Sequence, residues 1–206
     1  MKIIKITLLF ILILTLNNCA SGYSTIEPKT INYISIDEAE NVKLEYKYDL
    51  LDKKYAKKEL KKGIKLVAVK ITNNSNSDKT FGRDIKLTYE NGNEIYVMDN
   101  EKVFTQLKQS TASYLLYLLL TPVNLYTYET NSSGYTETTS STPIGLVLGP
   151  GIAGGNMIAA GSANTKFKTE MLAYNINGTV IKSGETKYGL IGIKTDAFDA
   201  LKLRVE

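Results

Sequence analysis

Histidine is absent from this 206-residue chain, and cysteine occurs once, at position 19. The usual general base and the commonest metal ligand are therefore missing, and a lone thiol forms no internal disulfide. Neither Gly-x-Ser-x-Gly nor Ser-x-x-Lys occurs, so serine hydrolase chemistry lacks its signatures. Carboxylate pairs are what glycosidic bond cleavage requires, and Asp37, Glu38, Glu40, Asp196 and Asp199 are candidates, each expected to be a solvated surface charge. Gly149-Pro150-Gly151-Ile152-Ala153-Gly154 matches the dinucleotide pattern G-x-G-x-x-G, with Glu170 near the ribose-binding distance. That chemistry needs a parallel βαβ unit, whereas the residues that follow read as hairpins. No Gly-Lys-Ser/Thr follows the glycines and no EF-hand loop is present. No cofactor, no metal and no catalytic site are expected.

Lys53, Lys54, Lys57, Lys58, Lys61 and Lys62, with Lys65 beyond, form the one dense run of charge. The pairs recur every four residues, so a helix would present them as a basic stripe. Such a stripe suits anionic head groups or acidic glycans, at about 1 kcal/mol per lysine near an anionic surface. A solvated connection between two strands explains the run better and is the reading adopted.

Upstream of Cys19 the chain carries Lys2 and Lys5, then an apolar or neutral run over residues 6–16, then Asn17-Asn18. A basic start, a short greasy run and a small polar exit make a three-part export leader. The run falls short of the roughly 20 apolar residues that a membrane-spanning helix needs. Leu16-Asn17-Asn18-Cys19 resembles the lipobox of bacterial lipoproteins, with Asn18 where Gly, Ala or Ser is usual. The resemblance implies cleavage before Cys19, a thioether-linked diacylglycerol on its sulfur and an exported, lipid-anchored product. Acyl chains anchor at about 0.8 kcal/mol per buried CH₂. Ala20, in place of an acidic residue, resembles lipoproteins sorted to the outer membrane.

The elements positioning these residues are mostly short strands. Val42, Leu44, Tyr46 and Tyr48 alternate with charged residues, the period of a half-buried strand. Residues 64–72 read as a second strand. Ile85, Leu87 and Tyr89 alternate into Glu90-Asn91-Gly92-Asn93, with 95–98 returning, a hairpin signal. Further on, 166–176 and 179–182 read as strands about Asn177-Gly178, followed by 187–193 and 201–205. About eight short strands predict an antiparallel β-sandwich. The stretch Val67-Ala68-Val69-Lys70-Ile71-Thr72-Asn73-Asn74-Ser75, with Asp84-Ile85-Lys86-Leu87, resembles immunoglobulin-like modules of bacterial envelope lipoproteins.

Between the two groups of strands lies an apolar, polar, apolar insertion, residues 99–164. Residues 100–109 have helical spacing, Tyr114, Leu115, Leu116, Leu118 and Leu119 belong to a greasy run, and 127–142 read as a mobile polar loop. Residues 144–163 are almost free of charge, with Gly145, Gly149, Gly151 and Gly155 at the spacing that lets helices approach closely. Three readings compete: the arms pack on each other and cap an open end of the sandwich, they form a hairpin that touches or enters the bilayer, or they are a self-association surface. The first is adopted.

The expected organisation is a signal peptide over 1–18, the lipidated cysteine and a flexible tether over 19–40, and a single mainly β domain over 41–206. Loss of Lys2 and Lys5 takes the formal charge from +4 to +2, too little to drive nucleic-acid binding. The expected role is a non-enzymatic binding or structural module at a membrane, partnered by the membrane and by an envelope protein or a second copy. A subunit of an envelope assembly is the first alternative and a carboxylate-dependent glycan-active enzyme the second.

Overall fold

The computed structural model describes residues 19–206; the expected leader lies outside them. Strand and helix take nearly equal shares, 31% and 30%, so the antiparallel sheets come with more helix than the alternating patterns implied. The chain divides into two compact units, residues 19–22 with Gln109–Ala163 and Tyr23–Lys108 with Asn164–Glu206.

The larger unit begins with β1 (Ser35–Ala39) and β2 (Val42–Lys47), joined by the two-residue turn Glu40-Asn41. Both turn residues have positive φ, 50° and 60°, the geometry that matches the right-handed twist of paired strands. Helix α1 (Lys53–Lys62) leads into β3 (Ile64–Asn73), which pairs with β2 and with β10 (Thr186–Lys194), and β6 (Val97–Met98) closes the sheet against β10. The order is β1-β2-β3-β10-β6, antiparallel throughout.

Nearly every residue of β3 is buried, because both faces of the sheet are covered. On one face Val67, Val69, Ile71, Ile191 and Ile193 pack with Val42, Leu44 and Tyr46 against Ile85 and Leu87 of β5 (Ile85–Thr88) and Leu203 of β11 (Lys202–Val205). Phe81 and Ile181 join them beside the short pair β4 (Lys79–Thr80) and β9 (Val180–Ile181). Each fully buried aliphatic chain contributes about 1.5–3 kcal/mol. The opposite face meets helices. At Gly192 an added Cβ would come within 2.2 Å of Val103 in α2 (Asn100–Leu107), so only glycine admits that helix. Asn100 donates to the carbonyls of Met171 and Leu190 at 2.6 and 3.4 Å. Tyr23, Tyr55, Phe104 and Phe167 form a ring cluster with centroids 5.1–5.8 Å apart.

Three expectations fail here. Residues 166–173 are the end of the helix α3 (Gly145–Ala173), not a strand: Phe167, Glu170 and Met171 are buried at helical spacing, a pattern that an alternating reading of so short a stretch conceals. Residues 179–182 accordingly pair with β4 and not with 166–176. Tyr23, Ile26 and β1 are docked, so the tether expected over 19–40 is not free. Ile26 is buried, and its N–H donates to Glu170 at 3.0 Å.

The Asn91-Gly92 turn is present, with Ile95 N–H on the Leu87 carbonyl at 2.8 Å, but Val97 and Met98 leave that ladder to pair with Ile193 and Gly192.

In the smaller unit, Ala112–Leu120 is a 3₁₀ helix. At three residues per turn, Tyr114, Tyr117 and Leu120 fall on one edge. Those three pack on Ala153, Ala160, Ile152 and Met157 of α3. Residues 127–142, expected as a mobile loop, are ordered as the hairpin β7 (Leu125–Thr130) and β8 (Thr136–Thr142), exposed along its whole length. Asn131 Oδ1 accepts from the N–H groups of Ser133 and Tyr135 at 3.1 and 3.0 Å and supplies the turn that composition alone hid.

Candidate functional site

The smaller unit gathers the residues singled out in its segment. Cys19 is exposed, and the next two residues are fixed. Ala20 packs against the Tyr114–Tyr117 cluster and donates its N–H to Asn156 Oδ1. Ser21 and Gln109 exchange two hydrogen bonds, 3.1 and 2.7 Å. Burial raises the Tyr117 hydroxyl, and the neighbouring Cys19 sulfur raises it further.

The small-residue spacing on α3 divides by face. An added Cβ at Gly145 would lie 2.1 Å from the Leu120 carbonyl oxygen, and one at Gly149 would lie 2.9 Å from Thr121 Oγ1. Those two glycines admit the 3₁₀ segment against the helix. Gly151 and Gly155 face open space and admit nothing. The buried stripe Gly145, Gly149, Ala153 and Ala160 recurs at four- and seven-residue steps, with small side chains throughout.

The two arms pack on each other, yet much apolar surface stays bare. Leu116, Leu119 and Val147 are 68%, 75% and 76% exposed, and Leu115, Leu118, Leu146, Leu148 and Ile158 are exposed as well. Among the described residues α3 is the one helix long and apolar enough to cross a membrane by length and composition, and 22% of its most apolar window is buried. Proline stands within it at 150.

The lysine run forms α1. Tyr55 and Glu59 point inward, and Lys53, Lys57, Lys61 and Lys62 are exposed. Lys54 and Lys58 are half-buried; Lys58 donates to the Lys108 carbonyl, and burial lowers its pKa first, with Lys62, Lys108 and Lys61 adding to the effect. Gly63 ends the helix at φ 59°, in the left-handed region that glycine tolerates.

The acids fall in two stretches, β1 with its turn and the connection between β10 and β11. Asp37, on β1, is held by Lys202 at 3.1 Å and by the Leu203 N–H at 2.7 Å. Glu38 and Glu40 are exposed near the first turn. Asp196 stands against Gly63, and the Asp199 carbonyl accepts from Tyr48. Among the described residues no group of three or more acids, histidines or cysteines could hold a metal ion.

Sequence reasoning missed two buried carboxyls. Glu59 accepts from the Leu66 N–H at 2.7 Å, and burial pushes its pKa up to about 7 against the opposing pull of that N–H and Lys65. Glu170 accepts from Tyr23 and from Ile26, and burial likewise raises it. The helical spacing Tyr55–Glu59 was the available signal for the first. Nothing local foreshadows the second, whose partners lie about 145 residues away in sequence.

A groove of about 240 Å³ lies in the larger unit, lined by Phe81, Ile85, Leu87, Ile95, Lys86 and Glu94 among others. It holds no cluster of nucleophile and base.

Comparison with protein-family models, with curated proteins and with solved structures gives no match.

Proposed function

We propose that this chain is a lipid-anchored protein of the cell envelope, acylated on Cys19 and serving as a non-enzymatic binding or structural module at a membrane surface. The observation that carries the reading is the setting of Cys19. It is the sole thiol, it is exposed, and it follows a leader-like run that resembles a lipobox. The next two residues, Ala20 and Ser21, are fixed on the smaller unit, and Cys19 lies at its surface.

The lack of histidine and the engagement of the Asp37 carboxylate by Lys202 and the Leu203 N–H favour binding over catalysis. An immunoglobulin-like sandwich belongs to the same proposal: the shared core of the five-stranded sheet with β5 and β11 supports it, and the helices on the opposite face are the departure from that plan. A second reading, a subunit of an envelope assembly, is favoured by the β7–β8 hairpin. Both of its faces are exposed, and isolated two-stranded hairpins are marginal in water.

The test is mass spectrometry of the native protein purified from membranes. The expected result is an N-terminal peptide that begins at Cys19 and carries diacylglycerol, with extra acyl mass where the new amine is also modified. Recovery of the same peptide with a bare sulfhydryl, or with residues 1–18 still attached, ends the anchoring reading.

A further inference from the structure

We propose that the smaller unit is itself a membrane-docking element: the exposed leucines of its 3₁₀ helix and the start of α3 enter the acyl layer beside the lipid on Cys19. The inference rests on the anchoring reading and extends it from one modified residue to a surface.

The argument begins with the three-residue period of the 3₁₀ helix. It commits Tyr114, Tyr117 and Leu120 to packing and turns the other two edges, Leu115 with Leu118 and Leu116 with Leu119, outward. Leu146 and Val147 extend the bare surface onto the first turn of α3, which the close approach at Gly145 holds against the end of the 3₁₀ helix. A monomer in water rarely leaves so many large apolar side chains bare together.

Charge selects the occupant. Between Lys108 and Lys166 the only charged residues are Glu129 and Glu137, and these face each other across the β7–β8 hairpin. Protein interfaces favour arginine; this surface has none. Tyr126, Tyr128 and Tyr135 are exposed on the hairpin, and tyrosine suits the head-group level, where one end of the ring is apolar and the other wet. The position of the anchor agrees. Ala20 packs in the same cluster as Tyr114 and Tyr117, so acyl chains on Cys19 leave the protein next to the bare leucines. The length of α3 alone would permit a span, but Pro150 and the packed stripe on its inner side favour insertion of one face.

The experiment uses the chain from residue 19 onward carrying Cys19→Ser, made without lipid, and co-sedimentation with vesicles of phosphatidylethanolamine and phosphatidylglycerol. Binding is expected. Leu116→Asp and Leu119→Asp should each weaken it by roughly tenfold or more, from the loss of one inserted side chain. Tyr96→Asp, at an exposed position of the larger unit, should leave binding unchanged. Because all three side chains lie outside the core, circular dichroism and melting should match across the variants. An unlipidated chain that stays in the supernatant overturns the inference, and so does binding indifferent to both leucines. A chain that self-associates without vesicles, dissociates on Leu119→Asp and never sediments with lipid overturns it in favour of a second copy. Acylated Cys19 in the native protein with a vesicle-inert chain removes this inference alone, whereas an unmodified Cys19 removes the anchor on which it rests.

Discussion

Glu59 shows how one side chain writes a pH dependence into the larger unit. Its carboxyl is buried against the Leu66 N–H and rises from its ordinary 4.5 to about 7, because desolvation disfavours the charged form. The folded chain therefore holds this proton more tightly than the unfolded chain does. Its contribution to stability is complete below about 4.5 and is lost as pH rises through 7. Glu59→Gln keeps an acceptor for Leu66 and carries no charge, so its stability should lack that decline. Urea unfolding should find the variant close to wild type at acidic pH and more stable by roughly 1–3 kcal/mol above neutrality. Equal slopes for the two proteins would assign the burial of Glu59 no linkage at all.

At the scale of elements, α3 joins two kinds of packing in one helix. Residues 145–160 bury glycine and alanine, while 163–171 bury Phe167 and Met171. The sequence announced the first half through its glycines but could not say which of them mattered. The approach of Leu120 and Thr121 decides it, and that contact depends on a 3₁₀ conformation whose three-residue period is invisible in a uniformly greasy run. The second half was misread as a strand for a related reason: a buried stripe of two or three residues is too short to separate period 2 from 3.6. By contrast β2, β3 and β10 were legible because alternation or long apolar runs persist over six to ten residues. Glycine substitutions should expose the division. Gly151→Ala and Gly155→Ala, which meet open space, should each stabilise by up to about 1 kcal/mol through helix propensity. Gly145→Ala places a methyl 2.1 Å from a backbone oxygen and should destabilise by about 1–3 kcal/mol. Thermal melts of the three variants check this; a uniform gain would mean that Gly145 does not set the approach.

For the molecule as a whole, what matters is how much slack separates Cys19 from the docked Tyr23. The polar composition of residues 20–25 reads as a tether, yet composition says nothing of docking achieved by a single ring and a few backbone bonds. Tyr23 inserts its ring between Tyr55 and Phe167, and its hydroxyl meets Glu170. Ile26 is buried three residues later. At about 3.5 Å per extended residue, Tyr23 lies no more than roughly 14 Å along the chain from Cys19. The stretch between Cys19 and the docked ring is therefore short, and lengthening it would first require undocking Tyr23. Hydrogen exchange reads that cost directly. The Ile26 amide, bonded to Glu170, should be protected on the timescale of the Leu66 amide in β3, while the exposed turn at 131–135 exchanges far faster. Tyr23→Ala should collapse the protection at Ile26 and spare Leu66, because it empties the dock and leaves the sheet in place. If Ile26 in the wild-type protein already exchanges at the rate of the hairpin turn, the segment is a tether after all.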